Sequence, residues 1–247
     1  DGGTTLKQEH QSKYNLLLDF YLNYNTKLES INSSIDVTAG YSWQRFKSWG
    51  RDYTYVSAVG DPANEKYLGE QANPTWRYSN IHQLVSFFGR LNYIYADKYL
   101  LTMTVRRDGT SRFSKDHRWG TFPSVALGWK LLDEDFMEPA RDIMTELKLR
   151  AGYGVTGQQD LNDDYFPYMA IYSVSTDDQH RYPNPTGAGN NVTLIKPNAY
   201  NPDIKWEETH TWNVGVDYGF LNNRIVGSLD FYKRKTTDLL TYANFAA

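Results

Sequence analysis

The stretch Phe87-Phe88-Gly89-Arg90-Leu91-Asn92-Tyr93-Ile94-Tyr95-Ala96-Asp97-Lys98-Tyr99-Leu100-Leu101-Thr102-Met103-Thr104-Val105-Arg106 decides the fold. Its first half puts Phe87, Gly89, Leu91, Tyr93 and Tyr95 on one side of an extended chain. Phe88, Arg90, Asn92 and Ile94 fall on the other. Side chains alternate across a strand, so this is a strand with one greasy and one mainly polar face. Ala96-Asp97-Lys98 supplies a short turn. Tyr99, Leu101, Met103 and Val105 then alternate with Leu100, Thr102, Thr104 and Arg106, completing a hairpin that sets Leu101 and Thr102 on opposite faces.

The same template recurs in both directions from this hairpin. Upstream lie Leu16, Leu18, Phe20, Leu22, Tyr24 and then Ile35, Val37, Ala39, Tyr41, Trp43. Downstream come Pro123 to Leu131, Leu147 to Val155, Trp212 to Tyr218 and Ile225 to Phe231, giving about eight long strands. The links between them alternate in length. They are short near Thr26 to Ser30, Ala96 to Lys98 and Phe220 to Asn223, and of medium length from Asp133 to Glu146. They are long over about 47–80, 108–118 and 157–204. Antiparallel strands then send every long loop to one side and every short turn to the other. That is the plan of an outer-membrane barrel, whose strands cross the bilayer in about 9–11 residues.

The faces agree with this plan. The greasy face ends in Tyr24, Tyr41, Trp43, Tyr93, Tyr95, Tyr99, Trp129 and Tyr218, as an aromatic girdle would. The opposite face carries charges such as Asp19, Asp36, Arg90, Arg150 and Asp217, which suit a wet lumen and are costly in a narrow filled core unless paired. The expected fold class is therefore all-β: an antiparallel transmembrane β-barrel, with extracellular loops at the three long links.

Composition excludes other classes. Aromatics make up 15% of the 247 residues, unlike a disordered chain. The balance of 26 basic and 29 acidic residues contains no basic block, so nucleic acid is not an expected partner. There is no cysteine, hence no disulfide, thiolate metal site or Cys nucleophile. No apolar run approaches the about 20 residues of a transmembrane helix. The chain opens at Asp1 without an initiator Met or signal sequence, and is expected to be an internal piece of something longer.

Four ordered motifs make the resemblance specific. They are FFGRLNYIYADKYLLTMTVRRDGTSRF (Phe87 to Phe113), RWGTFPSVALGWKLLDEDFM (Arg118 to Met137), ELKLRAGYGVTGQQDL (Glu146 to Leu161) and NPDIKWEETHTWNVGVDYGFLNNRIVGSLDFYKRKTTDLL (Asn201 to Leu240). They resemble the SusC/RagA-type TonB-linked outer-membrane transporters of Bacteroidetes. Before His82 the likeness is one of pattern, and Gln158 departs from an expected Asn. The resemblance implies a wider barrel of about 22 strands, of which these residues form about eight. It implies a plug, energy supplied through TonB, a SusD-like surface lipoprotein as lid, and import of glycans or peptides. No segment here looks like the plug, a TonB box or a closing C-terminal strand.

Candidate ligand or partner contacts lie in the long links. Trp76, Arg77 and Tyr78 fall in the first, and Tyr165, Phe166, Tyr168, Tyr172 and Tyr182 in the third. Aromatic faces there stack on sugars or peptides, anchor a protein interface, or form small loop cores of their own. In Arg106-Arg107-Asp108-Gly109-Thr110-Ser111-Arg112-Phe113, Arg107 and Arg112 face a ligand or partner, or the cluster ties loops by Arg–Asp pairing; the second role is the expected one. Asp160, Asn162 and Asp164 start like a calcium loop, but Tyr165 and Ile171 stand where Gly and Glu belong, which reads as a polar turn. The five His have no metal-ligand spacing, and no Gly-x-Ser-x-Gly or Walker loop is present. No cofactor, metal or catalytic residue is expected. Two rival readings remain at this point: a self-contained eight-stranded barrel with a structural or binding role, and a carbohydrate-active β enzyme resting only on aromatics and carboxylates.

Overall fold

The computed structural model describes residues 5–56, 76–161, 166–170, 172–174, 181–182, 192–193, 195–197 and 200–241, with side chains described over 9–52, 78–161, 166–170 and 200–241. Twelve strands follow in chain order: β1 Thr5–Leu28, β2 Ser33–Val56, β3 Trp76–Tyr95, β4 Tyr99–Thr110, β5 Trp119–Lys130, β6 Met144–Gln158, β7 Tyr172–Val174, β8 Arg181–Tyr182, β9 Val192–Thr193, β10 Ile195–Pro197, β11 Glu207–Phe220 and β12 Ile225–Thr237. Eight of them form one antiparallel sheet in the order β1-β2-β3-β4-β5-β6-β11-β12, and β7 to β10 make two small ribbons within the long link. No helix among the described residues is long and apolar enough to cross a membrane, a statement that does not concern strands.

Register turns the alternation of single strands into one continuous surface. Val37 pairs with Leu91, Leu91 with Met103, Met103 with Val125, and Val125 with Tyr153. Tyr153 pairs with Trp212, and Val214 beside it with Phe231. Directly paired residues share a face, so the greasy side runs unbroken across all eight strands. Many of its members, among them Leu22, Met103, Leu127, Val214 and Phe231, are exposed. In water such a surface would be buried. The sheet therefore requires lipid on this face, and the ribbon of Asn, Thr, Ser, Arg and Asp opposite is its lumenal side.

β1 and β12 lie at the edges of the sheet and do not pair with each other. Their outer N–H and C=O groups cannot be satisfied by hydrocarbon, so further strands must flank them. The self-contained eight-stranded reading fails on this observation. The sheet is an open piece of a larger barrel wall.

Several strands run past the alternating stretches on the loop side, β1 starting as early as Thr5. β2 continues through Val56 and β3 begins at Trp76, so both strands run far into the stretch 47–80 expected as loop. Outward positions there change from apolar to Arg45, Lys47, Trp49 and Arg51, which removes the greasy-polar signal while the backbone pairing goes on. β4 likewise reaches Thr110 and β11 starts at Glu207.

On the short-turn side, Ala96 and Asp97 both adopt positive φ, 52° and 55°, the type I′ geometry that matches the twist of paired strands. Neighbouring turns are stitched together by backbone bonds: Ala96 N–H to Asn32 C=O (2.8 Å), Lys130 N–H to Lys98 C=O (2.9 Å) and Leu221 N–H to Ile143 C=O (3.0 Å). Between β5 and β6 two 3₁₀ turns, Leu131–Asp133 and Asp135–Ala140, flank Glu134. Its carboxylate accepts from the Tyr99 hydroxyl (2.7 Å), the Trp129 indole N–H (2.9 Å) and the Lys98 ammonium (3.3 Å). These partners, Tyr99 foremost, hold the Glu134 carboxyl below the usual carboxylate range.

A depressed carboxyl stabilises the fold above its ordinary pKa and loses that contribution as pH falls through the lower, folded value. Thermal melting of the full-length protein should therefore drop as pH falls below the ordinary carboxylate range. Glu134→Gln should melt lower than wild type at neutral pH and show a smaller acid-dependent drop. An unchanged pH profile in the variant would show that this tie does not contribute.

Candidate functional site

The lumenal face holds two charge clusters, each made possible by register. Arg150 pairs with Gly215 on β11. Because Gly215 has no side chain, the guanidinium lies across that strand; a Cβ there would stand 2.8 Å from Arg150 Nη2. Arg150 thereby reaches Asp217 (Nη2 to Oδ1 2.8 Å) and Asp230 on β12 (2.9 Å). One cation bridges three strands, satisfying two carboxylates that would otherwise repel each other. The second cluster joins β3 to β4, where Arg106 donates to Asp108 (2.8 Å) and to the Ser86 hydroxyl (2.9 Å).

Between the clusters the wall is thinned by small residues. Ser124, Ala126, Gly152 and Gly154 floor a groove of about 500 Å³ whose rim carries Tyr232 and Arg234. Asp230 also lines it, so this mainly apolar groove on the lumenal face carries an aromatic ring, a carboxylate and a cation.

At the loop end lies the one apolar cluster of buried side chains among the described residues. β5 and β6 are paired only over Ser124–Lys130 and Lys148–Gly154. Just past the last pair, Phe122 and Val155 pack with Phe113, Leu161 and Trp206. Trp206 meets Phe122 and Phe113 edge-on, at centroid distances of 5.2 and 5.7 Å, and donates its indole N–H to Arg118 C=O at 3.0 Å. Four chain segments are thus clamped at one point below the long loops. Arg112, 5% exposed, bonds Asp160 at 3.1 Å beside this cluster.

The sequence candidates do not converge on a single site among the described residues. Tyr78 lies over Gly50, at 2.5 Å from where a Cβ would sit, and bonds Gln11. Arg107 is exposed on the outward face with its guanidinium 5.4 Å from the Trp119 ring centroid. Arg112 is turned inward, in the loop-tying arrangement. Tyr168 meets Phe166 edge-on at 6.5 Å. Register sets Trp76 and Arg77 opposite Asp52 and Arg51, Tyr172 opposite Pro197 and Tyr182 opposite Val192, while the side chains of all four lie outside the described residues. Tyr165, Asn162 and Asp164 also lie outside them. No group of three or more His, Asp or Glu able to hold a metal occurs among the described residues.

Alternation alone reveals neither the Arg150–Asp217–Asp230 cluster nor the Trp206 core. The first needed register, since alternation placed Arg150 and Asp217 on one face without saying which strands adjoin. The second needed the separation of β5 from β6.

Comparison with known proteins bears on the whole chain. A family model described as "TonB dependent receptor-like, beta-barrel" matches residues 2–246. The chain is 43% identical over 232 residues to the TonB-dependent receptor SusC of Bacteroides thetaiotaomicron, covering 93% of this chain. It is 34% identical over 236 residues to the TonB-dependent receptor P3 of Formosa agariphila, covering 94% of this chain. In each case it spans 22% of the relative's length. Among solved structures, the RagAB peptide transporter superposes with a TM-score of 0.75 at 21% identity, over 95% of this chain and 25% of that one, which shows a shared fold. With the open sheet, its lipid-facing surface and a family match running nearly from end to end, the chain belongs to the TonB-dependent receptor β-barrel family of the bacterial outer membrane, in its SusC/RagA-type branch.

Proposed function

We propose that these residues form part of the wall of a TonB-dependent importer that carries a glycan or peptide nutrient across the outer membrane. The likeness to SusC at 43% identity over 93% of the chain carries this reading. The polar lumenal face supports it, since charges fixed by pairing suit the passage of a hydrophilic solute. On this reading the full-length protein couples to TonB through a plug, and a SusD-like surface lipoprotein covers its loop side. Trp76, Tyr78, Tyr165, Tyr168, Tyr172 and Tyr182 are proposed to face ligand or lipoprotein, and the Tyr232–Arg234 groove to face the lumen's contents. Arg112 is assigned to holding the loops in place.

The test is uptake. Disrupting the gene should abolish growth on one class of glycan or peptide supplied as sole carbon source, and loss of TonB function should do the same. Growth unchanged on every glycan and peptide offered would contradict the reading. Topology has its own check: protease added to intact cells should cut within 57–75 or 157–204 and spare Ala96–Lys98 and Phe220–Asn223. Cleavage at the short turns would reverse the assigned orientation.

A further inference from the structure

Above the apolar belt on the loop side, the outward face becomes cationic. On β2 the outward row runs Ile35, Val37, Ala39, Tyr41, Trp43 and then Arg45, Lys47, Trp49, Arg51. On β4 it runs Tyr99, Leu101, Met103, Val105 and then Arg107. On β12 it runs Ile225, Gly227, Leu229, Phe231 and then Lys233 and Lys235. In each strand the change comes after about nine residues, the length that spans the hydrocarbon.

These cations differ from those on the lumenal face. Arg106 and Arg150 are met by carboxylates. Among the described residues no carboxylate lies within ion-pairing distance of Arg45, Lys47, Arg51, Arg107, Lys233 or Lys235. Three are instead held against aromatic rings: Lys47 over Tyr14 (5.8 Å), Arg51 over Trp49 (5.7 Å) and Arg107 over Trp119 (5.4 Å). Aromatic rings favour the headgroup level of a bilayer, so the charges they hold sit at that level too. Among the described residues, the one carboxylate at an outward strand position above the belt is Glu208, already beside His210 at 3.5 Å. At the turn ends the outward strand positions, such as Ile35, Tyr95, Tyr99, Leu147 and Ile225, include no Lys or Arg. One rim of the lipid-facing surface is thus basic and the other is not.

We propose that Arg45, Lys47, Arg51, Arg107, Lys233 and Lys235 form a belt that binds the phosphate groups of anionic lipids in the leaflet on the loop side. Lipid, rather than a docked protein, is the occupant because the cations continue the lipid-facing surface. They lie on three separated strands, β2, β4 and β12, rather than in one patch. Phosphates at headgroup height supply the counter-charge that the described residues do not. The assignment of the loop side to the outer leaflet rests on the orientation proposed above, whereas binding measured in detergent does not depend on it.

The experiment uses the full-length protein in neutral detergent, titrated with bisphosphorylated lipid A and with the same lipid dephosphorylated. Wild type should bind the phosphorylated form in a salt-sensitive manner. Arg45→Gln with Lys47→Gln and Arg51→Gln should weaken that binding about tenfold or more and leave the dephosphorylated lipid unaffected. A charge-matched control, Lys27→Gln with Lys130→Gln and Lys148→Gln on the lumenal face, should bind as wild type. If the first triple variant fails to fold, judged by loss of heat-modifiable migration, Arg107→Gln with Lys233→Gln reads the same loss. Equal binding by the variant and wild type would overturn the proposal, as would equal loss in the control. So would retained lipid binding accompanied by loss of a co-purifying protein, which would make the belt a protein interface.

Discussion

Met103→Arg should lower the unfolding free energy of the full-length protein in liposomes by about 2–4 kcal/mol, and Thr104→Arg should be close to neutral. Met103 stands outward between Leu91 and Val125. Along β4 it lies midway between Tyr99 at one edge of the apolar belt and Arg107 at the other. A guanidinium there must be dragged into hydrocarbon or snorkel past two rows of side chains. Thr104 pairs with Arg90 and Ser124 on the lumenal face, where water solvates a new cation and screens it from Arg90. Folding titrations in urea of both variants decide the matter. Equal costs would mean that neighbouring residues of β4 do not face different media.

Trp206→Ala should cost about 3–5 kcal/mol, felt locally at the loop end. Trp206 is 5% exposed and touches Phe113, which is fully buried, and Phe122. Removing it opens a cavity where β5 and β6 are no longer paired and takes one of two donors from the Arg118 carbonyl, which keeps the Thr110 N–H at 3.0 Å. Hydrogen exchange over 111–122 and 155–161 should speed up strongly, while β4 and β11 below the cluster stay protected. Uniform exchange across the sheet, or none, would show that this core does not clamp the loops.

Much of this architecture can be read from the sequence because a transmembrane strand is written with period two. Leu91 against Asn92, or Met103 against Thr104, declares its face without any knowledge of neighbours. The sides of the long and short links follow from strand direction alone. Features that depend on register stay hidden: Arg150 reaches Asp230 only because Gly215 lies between them, and nothing local links residues 150, 215 and 230. Glu134 was equally silent, since its partners Lys98, Tyr99 and Trp129 meet it only when two turns stack. The upper halves of β2 and β3 escaped detection for the opposite reason. Their outward residues turn basic and aromatic outside the hydrocarbon, so alternation in polarity ends while pairing continues.

These eight strands are one contiguous stretch of barrel wall with lipid on one face and water on the other. These 247 residues contain no cysteine, so single cysteines can report each position in turn. In a cysteine-free background of the full-length protein, cysteines at Leu101, Thr102, Met103 and Thr104 would be challenged with a membrane-impermeant maleimide in native outer membranes. Labelling at 102 and 104 with protection at 101 and 103 is the predicted result. Labelling of all four, or of 101 and 103 alone, would contradict it.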